Sequence, residues 1–357
     1  MDISTSHSAV SVSLLSPTDH DLWDKYVHTK PEASIYHQSK WLTLIESSLK
    51  QNGFYFIAKD ATNNVVGILP IINLKSWLFG NYMVSMPYFN YGAAIADSPE
   101  IEAQLMQAAI KQGETLEVSH IQFRASEPFV SSATTDAMTV STQKVNMILD
   151  LPETPELLGK AIGSKRRSQI KRPIREGVSH KFGGVELLED FYEVFCLNMR
   201  DLGTPVYSKL FFKEILETFA DNALLCVVYW EGKPVSTGFL LHNNGRMEIP
   251  WASTVRYANR ISVNMYLYWQ ILSYAIENDF KQFDFGRSTI DAGTYKFKKQ
   301  WGAEPQQCYW YHWVPEGAQA PDLSPSSGKF DLAIQVWQKL PLWVTKMIGP
   351  PIVRNLP

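Results

Sequence analysis

The sequence predicts an α+β fold in which one mixed unit, a hairpin-bearing sheet followed by a helix and a further strand, is used twice in tandem. Three observations carry that prediction. Residues 54 to 74, FYFIAKDATNNVVGILPIINL, and residues 223 to 242, ALLCVVYWEGKPVSTGFLLH, each run apolar, polar, apolar, which is the pattern of a β-hairpin. A helical pattern follows each hairpin, at about 99 to 113 and about 265 to 278, and a short strand follows each helix, HIQFRAS at 120 to 126 and QFDFGRS at 282 to 288. Aligned on those strands, Ile121 matches Phe283, Phe123 matches Phe285 and Ser126 matches Ser288.

With 357 residues, of which 45% are hydrophobic and 13% aromatic, the chain can fill two ordinary cores. The first domain is expected over residues 1–150 and the second over 151–316, with the boundary at Leu151-Pro152-Glu153-Thr154-Pro155. Residues 317–357 then hold a linker and an apolar tail. In that tail Ile334, Trp337 and Leu340 precede Pro341, and Trp343, Val344, Met347 and Ile348 follow it before Pro350-Pro351 closes the segment. This suits a helix packed on its own protein, or an interfacial anchor giving peripheral contact with the inner face of a membrane.

The amino terminus, MDISTSHSAVSVSLLSPTD, lacks the basic start and apolar run of a secretory signal, and no run of 18 apolar residues occurs. A cytoplasmic protein is the default expectation. The net charge of -3 gives no whole-chain argument for a polyanion, so one would have to be met by a local patch. Cys196, Cys226 and Cys308 lie far apart, and neither a metal site nor a disulfide framework follows from them.

One such patch exists. Residues 165 to 177 read KRRSQIKRPIREG, and at about 100° per residue Lys165, Arg167, Lys171, Arg172 and Arg175 share one helix face. Pro173 is expected to kink or restart that helix. The face is either merely solvated or a surface for phosphate or polyanion.

Phe283 to Gly302, FDFGRSTIDAGTYKFKKQWG, is the densest chemical segment. Phe283 and Phe285 alternate as in a buried strand, Gly286 is expected to end it, and Arg287, Tyr295, Lys296, Lys298, Lys299 and Trp301 follow. Asp284-Phe285-Gly286 has no glycine-rich loop or HRD-type segment before it, so a protein kinase is excluded. The first copy has Ala-Ser-Glu-Pro-Phe at the corresponding place. Chemistry is therefore expected in the second copy.

Several stretches together resemble the FemAB-like branch of the GNAT acyltransferase superfamily, and in particular FemAB-related proteins of exopolysaccharide gene clusters. They are VGILPIINLKSWLFGNYMVSMPYFNYGA, NMRDLGTPVYSKLFF at 198 to 212, EIPWAST at 248 to 254, and FDFGRST with GTYKFKKQWGAEP. The resemblance covers most of the chain. It implies two GNAT-like domains and transfer of an acyl or aminoacyl group to an amine or hydroxyl. It carries over to Arg200, Asp201, Gly203, Pro205, Tyr207, Glu248, Trp251, Asn264, Asp284, Arg287, Gly293, Tyr295, Lys298 and Trp301. One departure stands out: the connection Thr254 to Asn264 contains no glycine, so backbone cradling of a pyrophosphate is disfavoured. Arg256, Arg260 and a helix start capped by Asn264 remain for an anion. Acyl-CoA or aminoacyl-tRNA is the expected co-substrate, with no tightly bound cofactor.

Direct acyl transfer needs a proton acceptor, a stabilised oxyanion and a proton for the leaving group. Glu248 or Asp284 is the expected base, because a carboxylate in an apolar strand is driven toward the working pH range; either could equally be a structural ion-pair partner of Arg287 or Arg200. Arg287 and Lys298 are expected to hold an anionic donor or acceptor. Tyr207, Tyr268 and Tyr295 could donate to the oxyanion or leaving group, and Trp251 and Trp301 could stack on a sugar, although core packing accounts for aromatics equally well. Arg200, Asp201 and Asn264 complete the expected substrate site. Three functions compete: an acyl- or aminoacyltransferase acting on a cell-envelope or exopolysaccharide precursor, an aminoacyl-tRNA-dependent transferase of the peptidoglycan-bridge type, and a non-catalytic polysaccharide-binding or scaffolding module.

Overall fold

The computed structural model describes residues 10–77, 79–130, 138–318 and 331–356. Most of the expected linker, and the first nine residues, lie outside that set. Two compact units are formed, one by Met1–Thr142 with Gln307–Pro321 and Asn355–Pro357, the other by Gln143–Gln306 with Asp322–Arg354.

The first unit is built on β1 (Ser11–Leu14), β2 (Asn52–Lys59), β3 (Val65–Ser76), β4 (Gly80–Val84), β6 (Ile121–Ala125), β7 (Met138–Ser141) and β15 (Tyr309–Trp313), with β5 (Ile95–Ala96) on β3. Their order is β1-β2-β3-β4-β6-β15-β7. The second sheet uses β8 (Lys144–Asp150), β9 (Ser179–Gly183), β10 (Ala223–Trp230), β11 (Lys233–Asn243), β12 (Arg246–Thr254), β13 (Gln282–Thr289) and β14 (Glu304–Gln307), in the order β14-β8-β13-β12-β11-β10-β9. Read from β1 and from β9, the two orders are the same. Each has a parallel pair at its centre, β4 with β6 and β12 with β13, and the register equates Met83↔Ile121 with Met247↔Phe283. The tandem arrangement and the matching of Ile121 with Phe283 thus follow the sequence pattern.

One strand of each sheet comes from beyond its own copy of the repeat. β8 follows β7 directly but pairs with β13, and β15 follows β14 directly but pairs with β6. Only Thr142-Gln143 and Cys308 separate these successive strands, so the chain passes from one sheet to the other almost without a loop.

In the second unit the helix Val263–Glu277 lays Leu267, Ile271, Leu272 and Ala275 over Met247, Ile249, Phe283 and Phe285. Each such fully buried large side chain stabilises the fold by about 1.5–3 kcal/mol. The opposite face is covered by the helices Leu188–Leu202 and Lys209–Thr218, whose Phe191, Phe211 and Phe212 meet Phe239 and Trp251, with Phe195 behind them against Phe191 and Phe212. Cys196 and Cys226 are buried on these two sides, and burial pushes the Cys196 thiol up to about 11, which suits inert core residues.

Three local expectations are corrected. The helix Gly163–Arg175 runs through Pro173, because a proline in the last turn removes only one helical hydrogen bond; the break falls instead at Ile162, between this helix and Pro155–Ala161. Pro350 and Pro351 likewise lie inside the tail helix Leu342–Val353. The strand β13 continues past Gly286 to Thr289.

The tail, Asp331–Trp337 and Leu342–Val353, packs on the second unit. Thr345 is buried, Lys346 lies 5.5 Å over the Tyr192 ring, and Gly349 approaches Val206 so closely that a Cβ would fall 2.9 Å from its amide nitrogen. Leu332, Val336, Trp343 and Met347 remain exposed. No helix among the described residues is long and apolar enough to cross a membrane.

Candidate active site

The ladder between β12 and β13 consists of Arg246↔Gln282, Met247↔Phe283 and Glu248↔Asp284, and goes no further. Beyond that point β12 stays with β11 as far as Thr254, while β13 stays with β8 as far as Thr289. The two strands therefore part, leaving strand edges with main-chain donors and acceptors along the gap. Local sequence explains the divergence. Opposite the β11 irregularity between Phe239 and Leu241, β12 carries Pro250, which has no amide proton. β13 shifts register between Asp284 and Arg287 at Gly286, whose φ of 74° lies in the region that favours glycine.

Glu248 and Asp284 are the last paired residues before the gap, and both are buried, at 7% and 0% exposure. Neighbours in a parallel register share a face, so the two carboxylates stand side by side, opposite the face that carries Met247 and Phe283. Asp284 Oδ1 accepts the Gly286 N–H at 2.6 Å, which ties the carboxylate to the bulge. Lys298, at 8% exposure in the short helix Gly293–Lys299, donates its ammonium to the carbonyls of Gly286 at 2.9 Å and Arg287 at 2.8 Å. Burial pushes the Lys298 amine down to about 8; the charge of Asp284 opposes that shift and Arg287 adds to it. Arg287 itself is exposed just beyond the bulge.

The first copy lacks this chemistry. Its corresponding pair is Val84↔Gln122, and Arg124 stands where the second copy has Gly286. The Arg124 side chain is itself buried there, donating to Phe89 O at 2.6 Å and Gln122 Oε1 at 2.8 Å and lying 4.6 Å over the Trp310 ring.

The other expected residues are dispersed around the second sheet. Tyr207 and Trp251 are edge-on to each other at 5.9 Å in the aromatic cluster with Phe212 and Phe239, on the side of the sheet that carries Glu248. Arg200 and Asp201 pair with each other at 2.9 Å at the end of their helix. Tyr295 and Trp301 belong to the core under the opposite face, where Trp301 is 1% exposed and 6.3 Å from Tyr268. The buried polar atoms without a hydrogen-bond partner among the described residues include Asn146 Oδ1 opposite Arg287, Ser288 Oγ, and Trp301 Nε1. Nothing in the sequence marks Asn146, since its place opposite Arg287 depends on a strand pairing the chain order does not suggest.

The anion expected at the start of Val263–Glu277 finds a different arrangement. Asn264 is not the cap. Ser262 occupies that position with φ of 64°, makes no side-chain cap bond, and leaves Asn264 inside the first turn, accepting from Thr254 Oγ1 at 3.3 Å. Arg256 donates to the Asp201 carbonyl at 2.7 Å, and Arg260 lies 5.0 Å over the Trp230 ring. Of the basic helix, Arg167, Lys171 and Arg175 line one groove with Ser164, Ser168 and Ile174, while Lys165 and Arg172 are exposed outside it.

Residues 164–299 match the family described as Acetyltransferase (GNAT) domain. Over 162 residues the chain is 26% identical to UDP-N-acetylmuramoylpentapeptide-lysine N(6)-alanyltransferase of Weissella viridescens, an alignment covering 43% of this chain and 48% of that protein. The chain thus matches about half the length of that curated relative. Among solved structures, FemX superposes with a TM-score of 0.64 at 12% identity, over 85% of this chain and 97% of that one. L-PGS from Bacillus licheniformis gives 0.57 at 12% identity over 94% and 98%. A tandem GNAT protein from the clavulanic acid biosynthesis pathway gives 0.56 at 13% identity over 88% and 100%. At these identities the likeness is one of fold. Residues 164–299 thus match a GNAT acetyltransferase domain, a second sheet of the same strand order precedes them, and the chain as a whole is similar in fold to FemX.

Proposed function

We propose that this protein is an acyltransferase that moves an acyl or aminoacyl group directly onto an amine or hydroxyl of a cell-envelope or exopolysaccharide precursor, at the gap between β12 and β13. The observation that carries the reading is the buried pair Glu248 and Asp284 at the head of that gap, where the first copy has Val84 and Gln122. Support for an envelope acceptor comes from the curated relative, whose name describes alanyl transfer to a lysine N6 amine of a UDP-linked muramoyl pentapeptide.

In this reading Glu248 accepts the proton of the acceptor amine or hydroxyl as its nitrogen or oxygen bonds to the acyl carbon. The bond from that carbon to the carrier oxygen or sulfur then breaks, and the carrier leaves with the proton that Glu248 gives up, which returns the carboxylate to its starting state. Asp284 holds the bulge through the Gly286 amide and provides the counter-charge to Lys298. An ammonium has three N–H donors, and Lys298 gives two to carbonyls; the third, together with the exposed Arg287, meets the anionic part of a substrate. Strand-edge amides along the gap stabilise the oxyanion. Tyr207 and Trp251 form the wall on the Glu248 side, Arg200 and Asp201 its far rim, and Tyr295 and Trp301 support Lys298 from the core.

Between the two donors, an aminoacyl-tRNA is favoured over acyl-CoA. The connection after β12 is a 3-10 turn, Arg256–Ile261, without glycine, and its two arginines are engaged with Asp201 and Trp230. The test is mass spectrometry of a purified envelope-precursor pool incubated with the protein and each donor in turn. Wild-type protein should add an acyl or aminoacyl mass, and Glu248→Gln should lower the rate by about a hundredfold or more. Equal rates in the two proteins would sink the assignment of Glu248. Turnover of neither donor would favour a binding module.

A further inference from the structure

The helix Leu342–Val353 is apolar on both its sides. Thr345, Gly349 and Val353, at every fourth residue, are buried, whereas Trp343 and Met347 lie opposite them at about 100° per residue and are 66% and 63% exposed. The preceding helix Asp331–Trp337 repeats the arrangement: Trp337 is buried, while Leu332 and Val336, also four apart, are 75% and 53% exposed. Surface helices ordinarily turn charged and polar side chains to water, yet Thr345 and Lys346 are the only polar ones in the 12 residues of Leu342–Val353. Four large apolar side chains exposed on consecutive helices mark a face that meets a partner.

Charge and side-chain type identify that partner. Residues 331–356 carry Lys339, Lys346 and Arg354 against the single acid Asp331, in a chain whose net charge is -3. Lys339 is exposed in the turn between the two helices. A second copy of the chain docked here would bring like charges together, whereas an anionic lipid surface complements them. The longer stretches outside the described residues, 1–9, 131–137 and 319–330, are rich in Ser, Thr and Pro and too polar in sequence to match an apolar face. Tryptophan, with a broad apolar ring and one N–H, favours the boundary between headgroups and acyl chains. At seven and 12 residues the two helices are too short to cross a bilayer, and on a membrane they would lie along its surface.

The face adjoins the candidate site. Ile334 packs against Gly203 at the end of the helix Leu188–Leu202, where a φ of 78° and this contact leave no room for a Cβ. Gln338 Nε2 donates to the Asp201 carbonyl at 3.2 Å, and Arg256 Nη2 donates to the same carbonyl at 2.7 Å. The tail is thereby tied to the rim formed by Arg200 and Asp201.

We propose that the outward face of Leu332, Val336, Trp343 and Met347, with Lys339, docks this protein on an anionic lipid surface. The docking stands apart from the chemistry. Its purpose, presenting the Arg200 and Asp201 rim to an acceptor carried in the membrane, rests on the proposed transferase function.

The test mixes the full chain with vesicles of phosphatidylglycerol or of phosphatidylcholine and measures the bound fraction by sedimentation across a salt series. Wild-type protein should bind phosphatidylglycerol, less so as salt rises, and should bind phosphatidylcholine weakly. Trp343→Ser with Met347→Ser should lower the partition coefficient about tenfold or more, and Lys339→Gln about fivefold. Leu157→Ser, at a leucine exposed on the helix Pro155–Ala161, should change nothing. All these side chains are exposed, so unchanged melting points without vesicles are expected. The proposal is overturned if wild-type protein stays in solution with phosphatidylglycerol at low salt, if it binds both lipids equally, or if the double variant binds as wild type. In that last case, loss of a wild-type dimer in the double variant by analytical ultracentrifugation would give the face to a second copy. Vesicle binding without transfer from either donor would remove the transferase reading and leave this face. Transfer with no vesicle binding would do the reverse.

Discussion

At the scale of single residues, the account rests on what burial does to a few charged groups. Lys298 is the best placed for measurement. Its folded amine is pushed down to about 8, against an ordinary value of 10.5. Between those values the unfolded chain holds a proton that the folded chain does not, so this residue's share of stability rises with pH across that interval and is constant below it. Lys298→Met should remove that rise, which denaturant midpoints at about pH 7.5 and about pH 9.5 would reveal. An unchanged pH slope in the variant would mean the amine is not held as described. Sequence singled out Lys298 by its place in a polar cluster, and Glu248 and Asp284 by their apolar strands. It could not show that Glu248 and Asp284 are neighbours, because that depends on a parallel register between strands joined through a whole helix. Nor could it show that two donors of Lys298 turn inward to carbonyls. The capping role given to Asn264 failed for a local reason: Ser262 adopts the left-handed conformation and takes the cap position two residues earlier.

At the scale of elements, periodicity and turn chemistry located the hairpins and the two crossover helices to within a few residues. The errors cluster at proline and glycine. Pro173, Pro350 and Pro351 were read as breaks but sit in terminal turns, where few hydrogen bonds are at stake. Gly286 was read as a stop but serves as a bulge that keeps β13 going while turning it from β12. The tail gives an element-scale prediction. Gly349→Ala would place a Cβ 2.9 Å from the Val206 backbone nitrogen, so the helix Leu342–Val353 must shift or detach. We expect a loss of about 1–3 kcal/mol and faster proteolysis within residues 331–356. Resistance equal to wild type would contradict the close packing of this helix on Val206.

At the scale of the whole molecule, two copies of one unit differ in what they carry at the point where their central strands meet. The second keeps a carboxylate pair and a glycine bulge where its strands part; the first has Val84, Gln122 and a buried Arg124 in the same places. The repeat was legible because strand, helix and strand recur in order. The exchange of β8 and β15 was not, since nothing in a short apolar strand says which sheet it will join. That exchange predicts an asymmetry between fragments. Residues 1–142 lack β15, which separates β6 from β7, and should fail to fold alone, whereas residues 143–357 carry every strand of the second sheet. Circular dichroism melts of the two fragments would check this, and a cooperative melt from 1–142 would count against it. The central claim, acyl transfer at the gap between β12 and β13, is tested most directly by mass spectrometry of envelope glycan and peptidoglycan precursors from cells carrying wild-type protein, Glu248→Gln or none. The account predicts an acyl or aminoacyl mass that is present with wild type and missing from the other two; the same mass in the Glu248→Gln cells, or its absence from all three, would contradict it.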